Sequence, residues 1–164
     1  FAKPGVNGAY FADGNVKPWY KAMDDPGFNQ MKYIKRLMLA LPYFDRIPDQ
    51  SVISGNGIRY ERLIATRGKD YLLVYNHTGR DMTVDLRKIS GKRKNVWWMN
   101  PANGALTYLG EHVSGMAVFR SHTDATGIAD GVLIAIDSSK SYLGVTASEI
   151  PDSDAVAAER DRTE

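Results

Sequence analysis

The sequence predicts a mainly β protein, an antiparallel two-sheet sandwich preceded by an irregular segment and one α-helix. Seven short β-prone runs lie between residues 62 and 136 with turn signals between them, residues 82–87 alternate apolar and polar, and one stretch of helical period opens at Asp25-Pro26. With 164 residues, 43% of them hydrophobic and 24% charged, the chain can bury one sizeable core.

Residues 1–24 are rich in glycine, proline, asparagine and aromatics and have no period. Such a stretch makes no core of its own, so Tyr10, Phe11, Trp19 and Tyr20 are expected to lie against a partner surface. The helix is expected over about 26–41. Asp25 suits the N-cap and Pro26 the first helical position, where a missing N–H goes unnoticed. Met31, Ile34, Leu37, Met38 and Leu41 recur at three and four residues, Lys32, Lys35 and Arg36 take the solvated side, and Pro42 ends the helix. Residues 42–50 form a proline-bounded connector, read as a rigid joint that buries Tyr43 and Phe44.

The β runs fall at 62–66, 71–75, 82–86, 96–99, 106–109, 116–119 and 132–136. Gly68-Lys69, Thr78-Gly79, Ser90-Gly91, Asn103-Gly104, Ser114-Gly115 and Asp130-Gly131 separate them, the spacing of an immunoglobulin-like sandwich. Met82, Val84 and Leu86 interleave with Thr83, Asp85 and Arg87, as in a strand with one wet face. Residues 132–136 are apolar on both faces and predict a central strand, one face in the core and the other under the helix or the connector. Between 95 and 110 two β-prone runs flank Asn100-Pro101-Ala102-Asn103-Gly104, a turn sequence, so the stretch reads as a hairpin. Adjacent Trp97 and Trp98 must then point to opposite faces.

The formal charge of +2 divides into −4 from Ala147 onward and +6 before it, too modest a basic excess to argue for a nucleic-acid partner. No apolar run approaches the ~18 residues of a membrane span. The absence of cysteine excludes disulfides and thiolate metal sites. The polar, acidic residues 141–164 are expected to form a tail without a packed fold. Because the chain begins at Phe1 with no export signal, it reads as a piece of a longer polypeptide.

Candidate chemistry is sparse. His77, His112 and His122 share no metal-ligand spacing, and the loop between Asp124 and Asp130 lacks the calcium pattern of regular acids, so no metal is expected. Neither a Gly-x-Ser-x-Gly element nor a phosphate-binding glycine loop is present, and no cofactor is expected. Asp45, Asp49 and Glu61 surround the joint, while Asp70, Asp81 and Asp85 sit in turns or on wet strand faces, where salt bridges and caps use them. Asn76-His77-Thr78 matches a glycosylation sequon. The aromatic set Trp97, Trp98 and Tyr108, with Tyr71 and Tyr75, has two readings: ring faces that stack on sugars, or side chains that fill the core and cover the joint.

Several ordered motifs resemble a known family. Pro26-Gly27, Gln30 to Leu37 and Arg46-Ile47-Pro48-Asp49-Gln50-Ser51 are similar to the end of the catalytic barrel of the apiosidase-like glycoside hydrolases. Arg59-Tyr60-Glu61-Arg62, Ala65 to Tyr71, Tyr75, Thr78-Gly79-Arg80, Trp97 to Gly104 and Val132-Leu133-Ile134 resemble their C-terminal β-sandwich, a domain catalogued for collagen binding by a collagenase. The resemblance implies that residues 1–47 are the C-terminal remnant of a (β/α)₈ barrel, with its last helix, and that residues 48–140 are the accessory sandwich. It implies a missing N-terminal catalytic barrel as partner, with Met31, Ile34, Leu37, Met38, Leu41, Tyr43 and Phe44 packing between the two. It further implies a secreted or periplasmic enzyme acting on complex polysaccharides, whose catalytic carboxylates lie upstream, so no residue here takes a catalytic role. The alternatives are an autonomous carbohydrate- or collagen-binding module using Trp97, Trp98 and Tyr108, and a chain that is itself an enzyme.

Overall fold

A computed structural model describes residue 20 and residues 25–120 and 130–142. The expectations for residues 1–19, His122, Asp124 and most of the acidic tail lie outside the described residues. Helix α1 spans Pro26–Ala40, with Pro26 at its start and Asp25 in extended N-cap geometry. The Asp25 carbonyl accepts from the Phe28 and Asn29 amides at 3.0 and 3.2 Å. Leu41 is extended, as the residue before a proline is constrained to be, and the helix stops there.

Among the described residues nine strands follow: β1 (Ile47–Pro48), β2 (Ile53–Ser54), β3 (Ile64–Arg67), β4 (Tyr71–Asn76), β5 (Met82–Asp85), β6 (Arg93–Met99), β7 (Leu106–Val113), β8 (Met116–Phe119) and β9 (Gly131–Asp137). They form a six-stranded sheet, β1-β3-β4-β9-β6-β7, and a three-stranded sheet, β2-β5-β8. Every pairing is antiparallel. All seven expected runs are strands, and the mainly β sandwich behind a helix is the observed architecture. β1 and β2 are additions of two residues each, too short to carry a period.

Alternation sorts the side chains of the large sheet into two cores. Leu72, Val74, Val96, Trp98, Leu133 and Ala135 point toward the small sheet and meet Ile53, Met82, Val84 and Phe119. Tyr71, Leu73, Trp97, Met99, Ile134 and Ile136 point the other way and pack with Leu37, Ala40 and Leu41 of the helical segment. β9 lies between β4 and β6, so its two apolar faces are both covered. The described residues thus form three layers: helix, large sheet, small sheet.

The hairpin β6–β7 closes through Asn100 and Ala105, and Gly104 has φ +74°. A Cβ on Gly104 would lie 2.4 Å from Tyr33, so glycine also lets the helix ring settle on the turn. A bulge falls opposite Val96 and Trp97, where Leu109 has no partner on β6 and packs against the inter-sheet core instead.

The connector is fixed by Tyr71 rather than by its own aromatics. The buried Tyr71 hydroxyl donates to the Pro42 carbonyl at 2.6 Å and accepts from Arg46 Nε at 3.3 Å. Arg46 also reaches the Met38 sulfur and stacks over both Tyr43 and Tyr71. Tyr43 and Phe44, expected to be buried, are exposed, Phe44 by 98%, because Tyr71 already fills the joint from the sheet side. Tyr142, read as the start of the tail, donates to Asp70 at 2.7 Å and sets its ring edge-on to Tyr71.

Asp49 ties β1 to β3. Its carboxylate accepts from the Ser51 amide and hydroxyl at 3.0 and 2.6 Å and pairs with Arg67 at 2.6 Å. The Ser51 hydroxyl first, then the Arg67 guanidinium, hold its pKa down from 3.8 to about 2. A carboxyl depressed on folding adds stability that is complete above about pH 4 and disappears as pH falls through about 2. The melting-temperature gap between wild type and Asp49→Asn is therefore expected to be constant from pH 7 to about 5 and to shrink toward zero near pH 2. A gap that does not change with pH contradicts this assignment.

Candidate functional site

Among the described residues, the face of the large sheet that carries α1 is incompletely covered. Side chains at the N-terminal half of the helix stand away from β3 and β4, leaving a cleft of about 520 Å³. Gln30, Met31 and Ile34 form its helical wall, while Ile64, Thr66, Leu73 and Tyr75 form the sheet wall. Met99, the turn residues Asn100–Ala102, and Val132 close its end, and Asp130 lies at its margin. The register brings these walls together, since Ile64 pairs with Tyr75 and Tyr75 with Val132 across β3, β4 and β9.

Of the helix positions singled out by period, Leu37 and Leu41 are buried and Met38 packs against the helix-side core. Met31 and Ile34 are 59% and 40% exposed and look into the cleft, and Phe28 is exposed beside them. Exposed apolar side chains thus occur toward the helix N-terminus and at the connector, where Tyr43 and Phe44 project, as well as on the sandwich at Ile58, Tyr60, Val113 and Val118.

The polar end of the cleft is Asp130. Its Oδ2 accepts from the Tyr75 hydroxyl at 3.3 Å, while its buried Oδ1 has no hydrogen-bond partner among the described residues. Burial, and then the neighbouring Asp130 carboxylate, push the Tyr75 hydroxyl above its ordinary pKa. A buried acceptor left unpaired costs about 1–3 kcal/mol, more when charged, and calls for a reason.

The three aromatic ligand candidates are divided between faces. Trp98, 2% exposed, lies in the inter-sheet core, and Trp97, 8% exposed, lies under the helix with its ring 5.4 Å from Tyr108. Only Tyr108, 55% exposed, offers a ring to solvent, its hydroxyl donating to Asn95 at 2.9 Å. The Asn76 amide of the sequon is buried, with its nitrogen bonded to the Arg80 carbonyl and its oxygen accepting from Thr78 and Gly79.

The remaining polar clusters have structural partners. His77 Nε2 lies 2.6 Å from the Tyr60 carbonyl, and His112 packs against the Phe119 ring. Asp85 caps the turn Leu86–Lys88 and pairs with Arg87. Lys94 is fully buried opposite Asp137, donates to the Gly91 carbonyl, and has its pKa pushed down by burial. The Ser90 hydroxyl holds Asp137 below its ordinary value. Among the described residues no three His, Asp or Glu side chains gather as a metal site. No helix among them is long and apolar enough to cross a membrane.

Comparison with solved structures finds a glycoside hydrolase family 5 protein from Bacteroides vulgatus ATCC 8482, 53% identical over 85% of this chain, with a TM-score of 0.76. A second, described as a glycoside hydrolase, is 56% identical over 86% of this chain with a TM-score of 0.71. This chain spans only 30% and 31% of their lengths. No curated protein gives a significant match. A family model described as "Putative collagen-binding domain of a collagenase" matches residues 47–136, more than half of the chain and the run from β1 into β9, and to that family the chain belongs.

Proposed function

We propose that this chain is the C-terminal accessory part of a secreted or periplasmic glycoside hydrolase of the apiosidase-like kind, which acts on complex polysaccharides. In this reading the cleft face and the connector pack on a catalytic barrel and stabilise it. α1 is the last helix of that barrel, and the hydrolytic carboxylates belong to the part upstream. The observation that carries the reading is the uncovered apolar cleft between α1 and the large sheet, in a chain matching less than a third of two glycoside hydrolases. Met31, Ile34, Tyr43 and Phe44 are the exposed apolar groups that such a partner would cover, each at about 1.5–3 kcal/mol when fully buried. A sugar-stacking role has a weaker basis, since of that aromatic set only Tyr75 and Tyr108 are exposed, on strands that are not neighbours.

The test is a chimera in which this chain replaces the matching part of the Bacteroides vulgatus enzyme. One cooperative unfolding transition is expected in scanning calorimetry, and Ile34→Asp lowers it or splits it in two. In the 164-residue chain alone the same substitution has little effect, because Ile34 is already partly in water. Two independent transitions, indifferent to Ile34→Asp, refute the packing reading. The chain alone is expected to release no sugar from plant or microbial polysaccharides.

A further inference from the structure

We infer that the cleft receives a cationic side chain of the catalytic part, an arginine or lysine whose stem lies along Met31, Ile34 and Leu73 and whose head donates to Asp130 Oδ1. The inference rests on the packing reading above and specifies the chemistry of the contact. Three features select this occupant. The walls are apolar for most of their extent, which suits an aliphatic stem and poorly suits a free sugar, whose hydroxyls each need a polar partner.

The polar end is a carboxylate with one oxygen already engaged by Tyr75 and the other buried and, among the described residues, unpaired. A neutral apolar insert would leave that oxygen orphaned, and an anionic insert would be repelled. A guanidinium or ammonium group supplies both the missing donor and the opposite charge. Finally, Met31 and Ile34 are exposed on the cleft side of α1, so among the described residues the cleft that Asp130 lines opens to solvent.

The measurement is the melting temperature of Asp130→Asn in two settings, the 164-residue chain alone and the chimera described above. Asparagine keeps the shape and removes the charge. Alone, the variant is expected to melt at the same temperature or higher, because an unpaired buried oxygen loses its charge. In the chimera it is expected to melt lower by at least about 2 °C, because the cation then loses its partner. Asp130→Glu, which retains the charge, recovers part of that loss. No shift in the chimera, or an equal loss in both settings, overturns the anchor. Ile34→Asp in the chimera distinguishes the two levels: if it lowers the melting temperature while Asp130→Asn does not, the packing stands and the cationic occupant is wrong. If neither substitution has an effect, the packing itself is wrong.

Discussion

Trp98→Ala is expected to destabilise the protein by about 3–5 kcal/mol, whereas Tyr108→Ala changes stability by less than about 1 kcal/mol. The two rings come from paired strands of one hairpin, and their difference follows from the face each occupies. Trp98 is 2% exposed and sits where both sheets meet, among Leu72, Val74, Val96 and Leu133. β9 makes room for it with Gly131, on which a Cβ would fall 2.3 Å from the indole. Truncation removes the transfer free energy of the largest side chain type and leaves a cavity that neighbouring strands cannot close, because their backbones are fixed by the ladder. Tyr108 loses a half-exposed ring and one hydrogen bond to Asn95. Urea unfolding of the two variants measures both values. Near-equal losses would mean that Trp98 does not hold the sheets together, and Gly131→Ala should then also be harmless rather than destabilising.

In the same hairpin, local sequence sets some features and the tertiary arrangement sets others. That Trp97 and Trp98 face opposite ways follows from the two-residue period alone, and so does the wet face of β5. The double-sided apolarity of residues 132–136 announces a strand covered on both faces, and β9 is that strand, between the inter-sheet core and the helix. β7 runs past its expected end at Leu109 to Val113, because beyond the bulge it is held by backbone pairing to β6 rather than by a pattern of apolar side chains. β1 and β2 likewise owe their existence to partners, β1 even accommodating Pro48 at a sheet edge. Tyr43 and Phe44 read as buried because of their residue type, yet burial is competitive and Tyr71, at the start of a strand 27 residues after Phe44, occupies the joint.

The cleft is the least legible feature. Its walls come from α1, β3, β4 and β9, and only the order β3-β4-β9 brings Ile64, Tyr75 and Asp130 together. Asp130 looks in the sequence like one half of an Asp-Gly turn. Its unpaired oxygen is a property of the tertiary arrangement, as is the anchoring of Tyr142 on Asp70 beyond the last strand.

Leu37→Asp is expected to cost about 3–5 kcal/mol, the range for a truncated core leucine or a buried charge left unpaired. Its effect should also be local. Leu37 is 1% exposed and, with Ala40 and Leu41, is the contact through which α1 meets Tyr71, Leu73, Ile134 and Ile136. A helix of 15 residues is marginal in water without such a face, so its order depends on that contact. A carboxylate at this position cannot be solvated while the helix stays docked. The less costly response is for α1 to leave the sheet, which limits the loss to the free energy of docking. Hydrogen exchange separates this from global unfolding: amides of α1 should lose protection while those of β4, β6 and β9, held by the second core on their other face, keep it. Met31→Asp, on the exposed side of the same helix, should leave both sets unchanged in the isolated chain. Equal loss of protection across helix and strands would show that the helical layer and the sandwich unfold as one unit. The helix would then be part of what keeps the two sheets together, not a layer laid upon them.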